Sequence, residues 1–474
     1  MCLKMCSIIP FSMKNLGEKC AVFGVYGKGL DVARLSFFGL FALQHRGQES
    51  SGIATADGTK IMCHKGMGLV SQVYAEDDIK KLTGHLSVAH NRYSTFGGTS
   101  LEHAHPILVN NGEIALVHNG NLPSTTLLEE FLGGKGIDHT GMNDSRMMAE
   151  AIGVLVKEGK SLEDAVVEAY PHFTGAFCTL VMDKDTLIAF RDERGIRPLE
   201  MARLNGGHVF SSETCALTTV GAEYVRNVKP GEMVVVDGKG LRSTQIVPGD
   251  LKLDIFEFVY FARPDSELLQ QSVYEVRKNF GTQLAKEYPI EADVVIPVPE
   301  TAVPAAIGYS QATGIPLEMG LTKNRYIHRT FIAPEQHIRE QGVKAKLTPL
   351  PRVIAGKRVV VMDDSIVRGT TSRQIVAMLI EAGAKEVHFL VSSPPVKFPD
   401  FYGIDTPKQD ILIAATKSVE EIQKFLGATS LRYLSYEGMI AATGRPESDF
   451  STSCFTGVYP IDIRERAKEV NHNL

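Results

Sequence analysis

Asp363 and Asp364 close the apolar run Val359-Val360-Val361-Met362 and stand just ahead of Ser365, Arg368, Gly369, Thr370 and Thr371. A buried strand that ends in two carboxylates and passes through a glycine and hydroxyl loop into a helix, expected over residues 372–382, is an anion cradle. Free backbone N–H groups and the positive end of the helix dipole point at whatever binds there. The hydroxyls of Ser365, Thr370 and Thr371 add donors suited to a phosphate. The paired carboxylates at the strand's carboxyl end suit a sugar diol or a hydrated Mg2+. A strand–turn–helix corner with capping residues is the structural alternative. Apolar strand, acidic pair and hydroxyl loop standing in register favour the binding site.

Further polar clusters lie at the ends of other expected strands: His90-Asn91-Arg92-Tyr93-Ser94-Thr95, His118-Asn119-Gly120-Asn121 and Asn143-Asp144-Ser145. Each alone reads equally well as a turn or a helix cap. Asn-Gly is a strong turn signal, and Asp144-Ser145 ahead of a helix has the character of an N-cap. Thr301 lies in the stretch from Pro299 to Val303, which follows another apolar strand beginning at Ala292 and where backbone could approach a pyrophosphate; a loop-capping threonine is the alternative. Between Lys323 and Lys346 the chain carries six Lys or Arg residues against two acids, without a helix or strand period. A loop of that length in a compact domain is usually functional, as a basic lid over an anion would be; a solvated basic loop is the bland alternative.

The elements that must position these groups differ between the two halves. The first half reads as many short strands, over 20–26, 52–55, 86–90, 114–118, 178–182, 187–191 and 233–236, with helices at 32–43, 122–132 and 145–156. Many strands with few helices predict two packed antiparallel sheets flanked by helices. A polar interruption at 243–254 marks a boundary. Beyond it come a strand and turn over 256–266, then strands alternating with helices, as at 273–287 and from Pro304. That alternation predicts an α/β domain with a parallel sheet. A charged helix over 461–470 closes the chain. The expected domains are therefore 1–19 as a separate leader, 20–250 and 251–474.

Composition bounds the function classes. The hydrophobic content is 44%, charged residues make up 22%, and the net charge is −5. These values describe an ordinary globular protein with no electrostatic footprint for nucleic acid or an acidic membrane surface. Seven cysteines, an odd number without a Cys-x-x-Cys pair, argue against a disulfide framework or a zinc cluster and point to a reducing cytosol. No run of about 18 apolar residues suggests a membrane span. No glycine-rich dinucleotide fingerprint or Walker lysine loop is present.

Taken together, Cys20-Ala-Val-Phe-Gly, His45-Arg46-Gly47, Arg92-Tyr-Ser-Thr and His118-Asn-Gly-Asn, in that order, resemble the glutamine amidotransferase domain of the N-terminal-nucleophile class. The Val359–Thr371 stretch resembles the phosphoribosyl pyrophosphate (PRPP) site of type I phosphoribosyltransferases. The strand and turn at 256–266, Phe401-Tyr402-Gly403-Ile404-Asp405 and Ser435-Tyr436-Glu437-Gly438 match the same family, and the fusion over about residues 20–465 resembles the amidophosphoribosyltransferases.

The resemblance implies an α+β N-terminal-nucleophile sandwich followed by an α/β phosphoribosyltransferase domain. It implies glutamine-dependent transfer of ammonia to PRPP, giving phosphoribosylamine, glutamate and pyrophosphate at the committed step of purine synthesis. Cys20 would be the nucleophile. Its α-amino group, with an ordinary pKa near 7.7–8, would shuttle the proton. The Asn119 side chain and Gly120 N–H would form the oxyanion hole, Arg92 would fork onto the glutamine α-carboxylate, and Asp144 would receive the α-ammonium. His45, Arg46 and Gly47 would support Cys20. Ser365, Arg368, Gly369, Thr370 and Thr371 would hold the 5′-phosphate, and Asp363 and Asp364 the ribose diol. Thr301, Asp363 and Asp364 would ligate one Mg2+ per subunit, with Lys323 and the basic lid at the pyrophosphate.

Cys20 cannot use its own α-amino group while residues 1–19 are attached. Removal of a propeptide at the Lys19–Cys20 bond, by the protein itself, is therefore expected. Cys2 lacks the Ala-Val-Phe-Gly strand that should follow the nucleophile. The resemblance also implies feedback inhibition by purine nucleotides, AMP and GMP, a homotetramer, and a cytoplasmic location. One departure stands out. A branch of the family holds a [4Fe–4S] cluster on four cysteines, where this chain carries Asp254, Asp400, Ser448 and Ser451. Cys454 alone cannot hold one, so no iron–sulfur cluster is expected.

Overall fold

The computed structural model describes residues 20–93, 101–324, 347–403 and 408–472. The expected propeptide, Ser94 and Thr95, Ile404 and Asp405, and the basic segment 325–346 lie outside the described residues.

The chain divides into two compact units. In the first, two antiparallel sheets carry the core. One has the order β11-β9-β10-β1-β4-β2-β3, built from β1 (Ala21–Tyr26), β2 (Ser50–Ala56), β3 (Ile61–Met67), β4 (Leu86–Arg92), β9 (Glu200–Leu204), β10 (Gly207–Ser211) and β11 (Glu223–Asn227). The other has the order β13-β12-β8-β7-β6-β5, from β5 (Ile107–Val109), β6 (Ile114–Ser124), β7 (Thr174–Met182), β8 (Leu187–Arg191), β12 (Glu232–Asp237) and β13 (Gly240–Gln245). Val22, Val88, Val117, Leu180, Phe210 and Val234 form an apolar layer shared by the two sheets. Their outer faces pack on helices: Val32–Ala42 against one, Asp144–Lys157 and Leu162–Ala169 against the other. The central strands are buried on both faces, which explains why they read as continuous apolar runs.

Several expected elements differ. The helix expected over 122–132 begins only at Thr126, because β6 runs on through Ser124 with an irregular register after Asn121. Asn143, not Asp144, is the N-cap of the next helix: its side chain accepts from the Arg146 N–H at 2.8 Å, leaving Asp144 in the first turn. The stretch expected as a strand at 256–266 contains a π-helical turn, Glu257–Phe261. Its alternating aromatics imitate a strand, but Glu257 is buried against Arg46 and Arg197. The closing helix is a 3-10 segment, Arg464–Glu469, entered at Arg464 with φ 48°.

The second unit carries a four-stranded parallel sheet in the order 294–297, 358–363, 386–391, 430–433. Helices Val303–Thr313, Thr370–Glu381 and Val419–Leu426 connect its strands. The helix after the acidic pair starts at Thr370, two residues earlier than expected, because Gly369 caps it at φ 74°. The units do not follow the single cut expected at 250/251. The first extends to Tyr274 and takes back Phe398–Gln409 and Arg445–Leu474; the second is Glu275–Lys397 with Asp410–Gly444. The reason is local pairing: Leu253–Asp254 forms a parallel ladder with Phe450–Ser451, and Arg197 bonds Tyr402. Among the described residues, no helix is long and apolar enough to cross a membrane.

Candidate active site

In the first unit, the start of β1, the end of β4 and the middle of β6 carry one group of polar residues. Cys20 immediately precedes β1, and its Sγ donates to the Tyr93 carbonyl at 3.8 Å. Burial pushes the Cys20 thiol up; the Tyr93 bond and the Arg92 charge draw it back, while Glu49 and Asp144 push the same way as burial. These influences bring Cys20, Arg92 and Asp144 into one electrostatic neighbourhood. Arg92, at the end of β4, is fixed by Glu49, Nη1 to Oε1 at 2.9 Å. Glu49 was not singled out in the sequence, although it follows His45-Arg46-Gly47 by only two residues. Gly47 lies against the Asn91–Arg92 backbone, where a Cβ would meet main-chain carbon at 2.7 Å. Arg46 is buried and bonds both Glu213 and Glu257.

Asn119 and Gly120 sit within β6. Asn119 is 2% exposed, and its Nδ2 has no hydrogen-bond partner among the described residues. An unsatisfied buried donor costs about 1–3 kcal/mol, and this one is free to donate to an incoming acceptor. Gly120 has φ 153°, and a Cβ there would lie 1.9 Å from the Ala176 carbonyl oxygen, so only glycine fits. Asp144 accepts from the Leu122 N–H at 3.2 Å and the Ser145 N–H at 2.7 Å, which fixes its carboxylate beside the same strand.

Three buried histidines lock the approach to Asn119. His90 Nε2 bonds the His118 carbonyl at 2.9 Å, and the His118 N–H donates to His105 Nδ1 at 3.2 Å. His118 Nδ1 bonds Ser145 Oγ at 2.9 Å. Burial holds all three pKa values down, His90 to about 3, so each ring is neutral with one donor and one acceptor. Sequence reading named the His-Asn-Gly-Asn run for its amide and glycine; the histidine network depends on residues scattered over three segments.

In the second unit, Asp363 ends its strand and Asp364 begins the loop. The Asp364 N–H donates to Asp363 Oδ1 at 3.0 Å, and Ser365 Oγ donates to Asp364 Oδ1 at 2.8 Å. Burial, then repulsion from Asp364, raises Asp363 well above the ordinary carboxylate range. Burial lifts Asp364 to about 6, against the pull of Ser365 and of Arg277. Arg277, buried on the helix Val273–Glu287, was missed in the sequence; an arginine in helical register with Val273, Val276, Phe280 and Leu284 is the signal that could have found it. Ser365, Arg368 and Gly369 form the loop, and Thr370 and Thr371 open a helix of 12 residues whose first N–H groups face it. Thr301 follows the neighbouring strand Val294–Pro297, which pairs with the Asp363 strand at Pro297 and Met362, so both loops leave one sheet edge. Lys323 joins that edge through Glu300, Nζ to Oε2 at 3.8 Å, while remaining exposed.

Of the four residues at the expected cluster departure, Asp254 and Asp400 pair with Arg197. Arg197 Nη1 lies 2.8 Å from Asp254 Oδ2, and Nη2 lies 3.9 Å from Asp400 Oδ1. Ser451 pairs in register with Asp254, and Cys454 is buried nearby, its pKa raised by burial and by both carboxylates.

Comparison with known proteins matches both halves. Residues 90–219 fit a glutamine amidotransferase domain family, and residues 266–395 a phosphoribosyl transferase domain family. The amidophosphoribosyltransferase of Synechococcus elongatus is 49% identical over 458 residues, covering 95% of this chain and 93% of that protein. That of Bacillus subtilis is 44% identical, covering 95% and 96%. The solved B. subtilis glutamine PRPP amidotransferase in complex with ADP and GMP superposes with a TM-score of 0.88 at 43% identity, covering 94% of this chain and 98% of that one.

Proposed function

The chain belongs to the amidophosphoribosyltransferase family, and from that premise we propose how its two sites divide one reaction. It transfers ammonia from glutamine to PRPP, giving 5-phosphoribosylamine, glutamate and pyrophosphate, the committed step of purine synthesis. The observation that carries the reading is that one chain, matched over 95% of its length by its relatives, holds both a glutamine amidotransferase domain and a phosphoribosyl transferase domain.

In the glutamine site, Cys20 attacks the side-chain amide, expelling ammonia and leaving a γ-glutamyl thioester that water cleaves to glutamate. The α-amino group freed by loss of residues 1–19 carries the proton. Asn119 Nδ2 and the Gly120 N–H receive the oxyanion; the unpartnered Nδ2 supports this role. Arg92, held by Glu49, receives the α-carboxylate, and Asp144 the α-ammonium.

In the second site, Ser365, Arg368, Gly369, Thr370 and Thr371 hold the 5′-phosphate, while Asp363 and Asp364 hold the ribose diol. Lys323 and Thr301 stand at the pyrophosphate end, where ammonia displaces the leaving group at C1. Two adjacent carboxylates, both with pKa raised by burial and Asp363 also by the charge of Asp364, form a hard-oxygen donor set suited to Mg2+. When bound, the ion neutralises pyrophosphate charge, with Thr301, Asp363 and Asp364 as the residues that would hold it.

Purine nucleotides as feedback inhibitors are supported by the ADP and GMP named with the solved relative. The homotetramer rests on family resemblance. A cytoplasmic home is supported by the free thiols of Cys20, Cys63, Cys178, Cys215 and Cys454. The test is PRPP-dependent glutamate release by the native enzyme and by Cys20→Ala. The variant should lose glutamine use and keep synthesis from added ammonia; loss of both, or of neither, overturns the division of labour.

A further inference from the structure

Asn119 and Gly120 are held upstream by the bonds of His90 and His105 to the backbone of His118. Downstream the ladder fails them: the β6–β7 register breaks between Asn121 and Ser124. A donor pair that must meet an oxyanion within a few tenths of an ångström needs a support where that ladder stops. The support comes from far along the chain. Asn121 Nδ2 donates to the Phe401 carbonyl at 2.7 Å, across 280 residues of sequence. Arg197 Nε and Nη2 both donate to the Tyr402 carbonyl, at 3.0 and 2.7 Å. Gly403 adjoins the site: a Cβ there would stand in ordinary contact, 3.5 Å from the Gly120 carbonyl carbon and from Arg197 Nη2, while φ 113° makes any side chain strained. Phe401 and Tyr402 also pack with Ala176, the residue whose carbonyl Gly120 abuts.

We propose that the strap Pro399–Gly403 is the downstream support of the oxyanion hole, and that Asn121 and Arg197 are the positioning residues through which it acts. The inference rests on the reading of Asn119 and Gly120 as the oxyanion donors. The strap is itself rigidly held within the same compact unit. The Tyr402 N–H donates to Asp400 Oδ1 at 2.8 Å, and Ser453 Oγ donates to Asp400 Oδ2 at 3.1 Å. The buried Tyr402 hydroxyl donates to the Ile461 carbonyl at 2.5 Å and accepts from the Ile461 N–H at 3.1 Å. Tyr459 OH donates to the Pro399 carbonyl at 2.8 Å. Arg197 is neutralised by Asp254 at 2.8 Å and Glu257 at 3.4 Å, so its fork is fixed before it reaches Tyr402. The charged groups that stand at the cluster positions of the cysteine-bearing branch thus serve glutamine chemistry, by holding this strap.

The test uses the full mature enzyme with Asn121→Ala and, on the other side of the contact, Gly403→Ala. Steady-state glutamate release is measured with PRPP, alongside synthesis from added ammonia. Both variants should lose at least fivefold in kcat for glutamate release, with the KM for glutamine and the ammonia-dependent rate each within threefold of native. A general folding defect would move all three quantities together. The proposal is overturned by a kcat within fivefold of native in either variant, or by a parallel loss of the ammonia-dependent rate. Asn119→Ala separates the two levels of inference. If it leaves glutamate release intact, the oxyanion reading fails; if it abolishes release while both strap variants do not, only the strap fails.

Discussion

Replacing Asn119 by alanine should move activity and stability apart. The Nδ2 donor is buried and has no partner among the described residues, a condition that costs about 1–3 kcal/mol. Truncation removes that cost and opens a small void worth roughly 1–2 kcal/mol in the other direction. The two nearly cancel, so the midpoint of urea unfolding should shift by no more than about 1 kcal/mol equivalent. The transition state responds differently. There the same donor faces a developing oxyanion, and loss of one such donor costs about 2.7–4 kcal/mol, or roughly 10²–10³ in kcat. The KM for glutamine should stay near native, because Arg92 and Asp144 still grip the amino-acid end. Glutamate release and denaturant unfolding on the same preparation decide the matter. A kcat within tenfold of native, or a fall in kcat that tracks a loss of stability above 2 kcal/mol, refutes the reasoning.

Arg92→Lys keeps the charge but loses the planar fork that Glu49 aligns, so the KM for glutamine should rise by about 10–100-fold while kcat changes little; an unchanged KM contradicts the role. Glu200 is buried, and burial lifts its pKa from 4.5 to about 7 despite bonds from Asn227 at 2.6 and 2.7 Å. Between those values the native state holds a proton that the unfolded chain has released, so stability falls as pH rises from 4.5 to 7, by something on the order of 2–3 kcal/mol. Glu200→Gln should flatten that slope in urea melts at pH 5 and pH 8; an unaltered slope rules Glu200 out as its source. Asp364→Asn should weaken PRPP binding by about 10²-fold and suppress synthesis from both nitrogen sources, and chelation of divalent metal should do the same reversibly. Retention of ammonia-dependent synthesis under either treatment contradicts the assignment of the acidic pair.

How much of this was legible follows from the distance over which each residue acts. The two sheets, their helices and the acidic-pair corner were readable because each depends on local pattern: short, wholly buried runs in β1 and β4, four apolar residues ahead of Asp363, glycine and threonine at a helix start. The residues proposed as nucleophile and oxyanion donors stand out in the sequence because their types are unusual in their order. Failures came where a residue's meaning depends on a remote partner. Phe256–Phe261 alternates like a strand, yet it coils, because Glu257 is drawn inward to Arg46 and Arg197, and nothing near it in sequence announces either arginine. The cut expected at 250/251 follows a real change of composition. Compactness ignores it, since Leu253–Asp254 finds its partner strand at Phe450–Ser451, and Phe398–Gln409 returns to the first unit. Asn121 shows the limit most sharply. Beside Asn119-Gly120 it reads as one more turn residue, and only its bond to the Phe401 carbonyl ties it to the later segment. On the proposed reading, a segment that lies beyond the phosphoribosyl transferase match at 266–395 supports the glutamine site. Substitutions in that segment should be read first for their effect on the oxyanion donors.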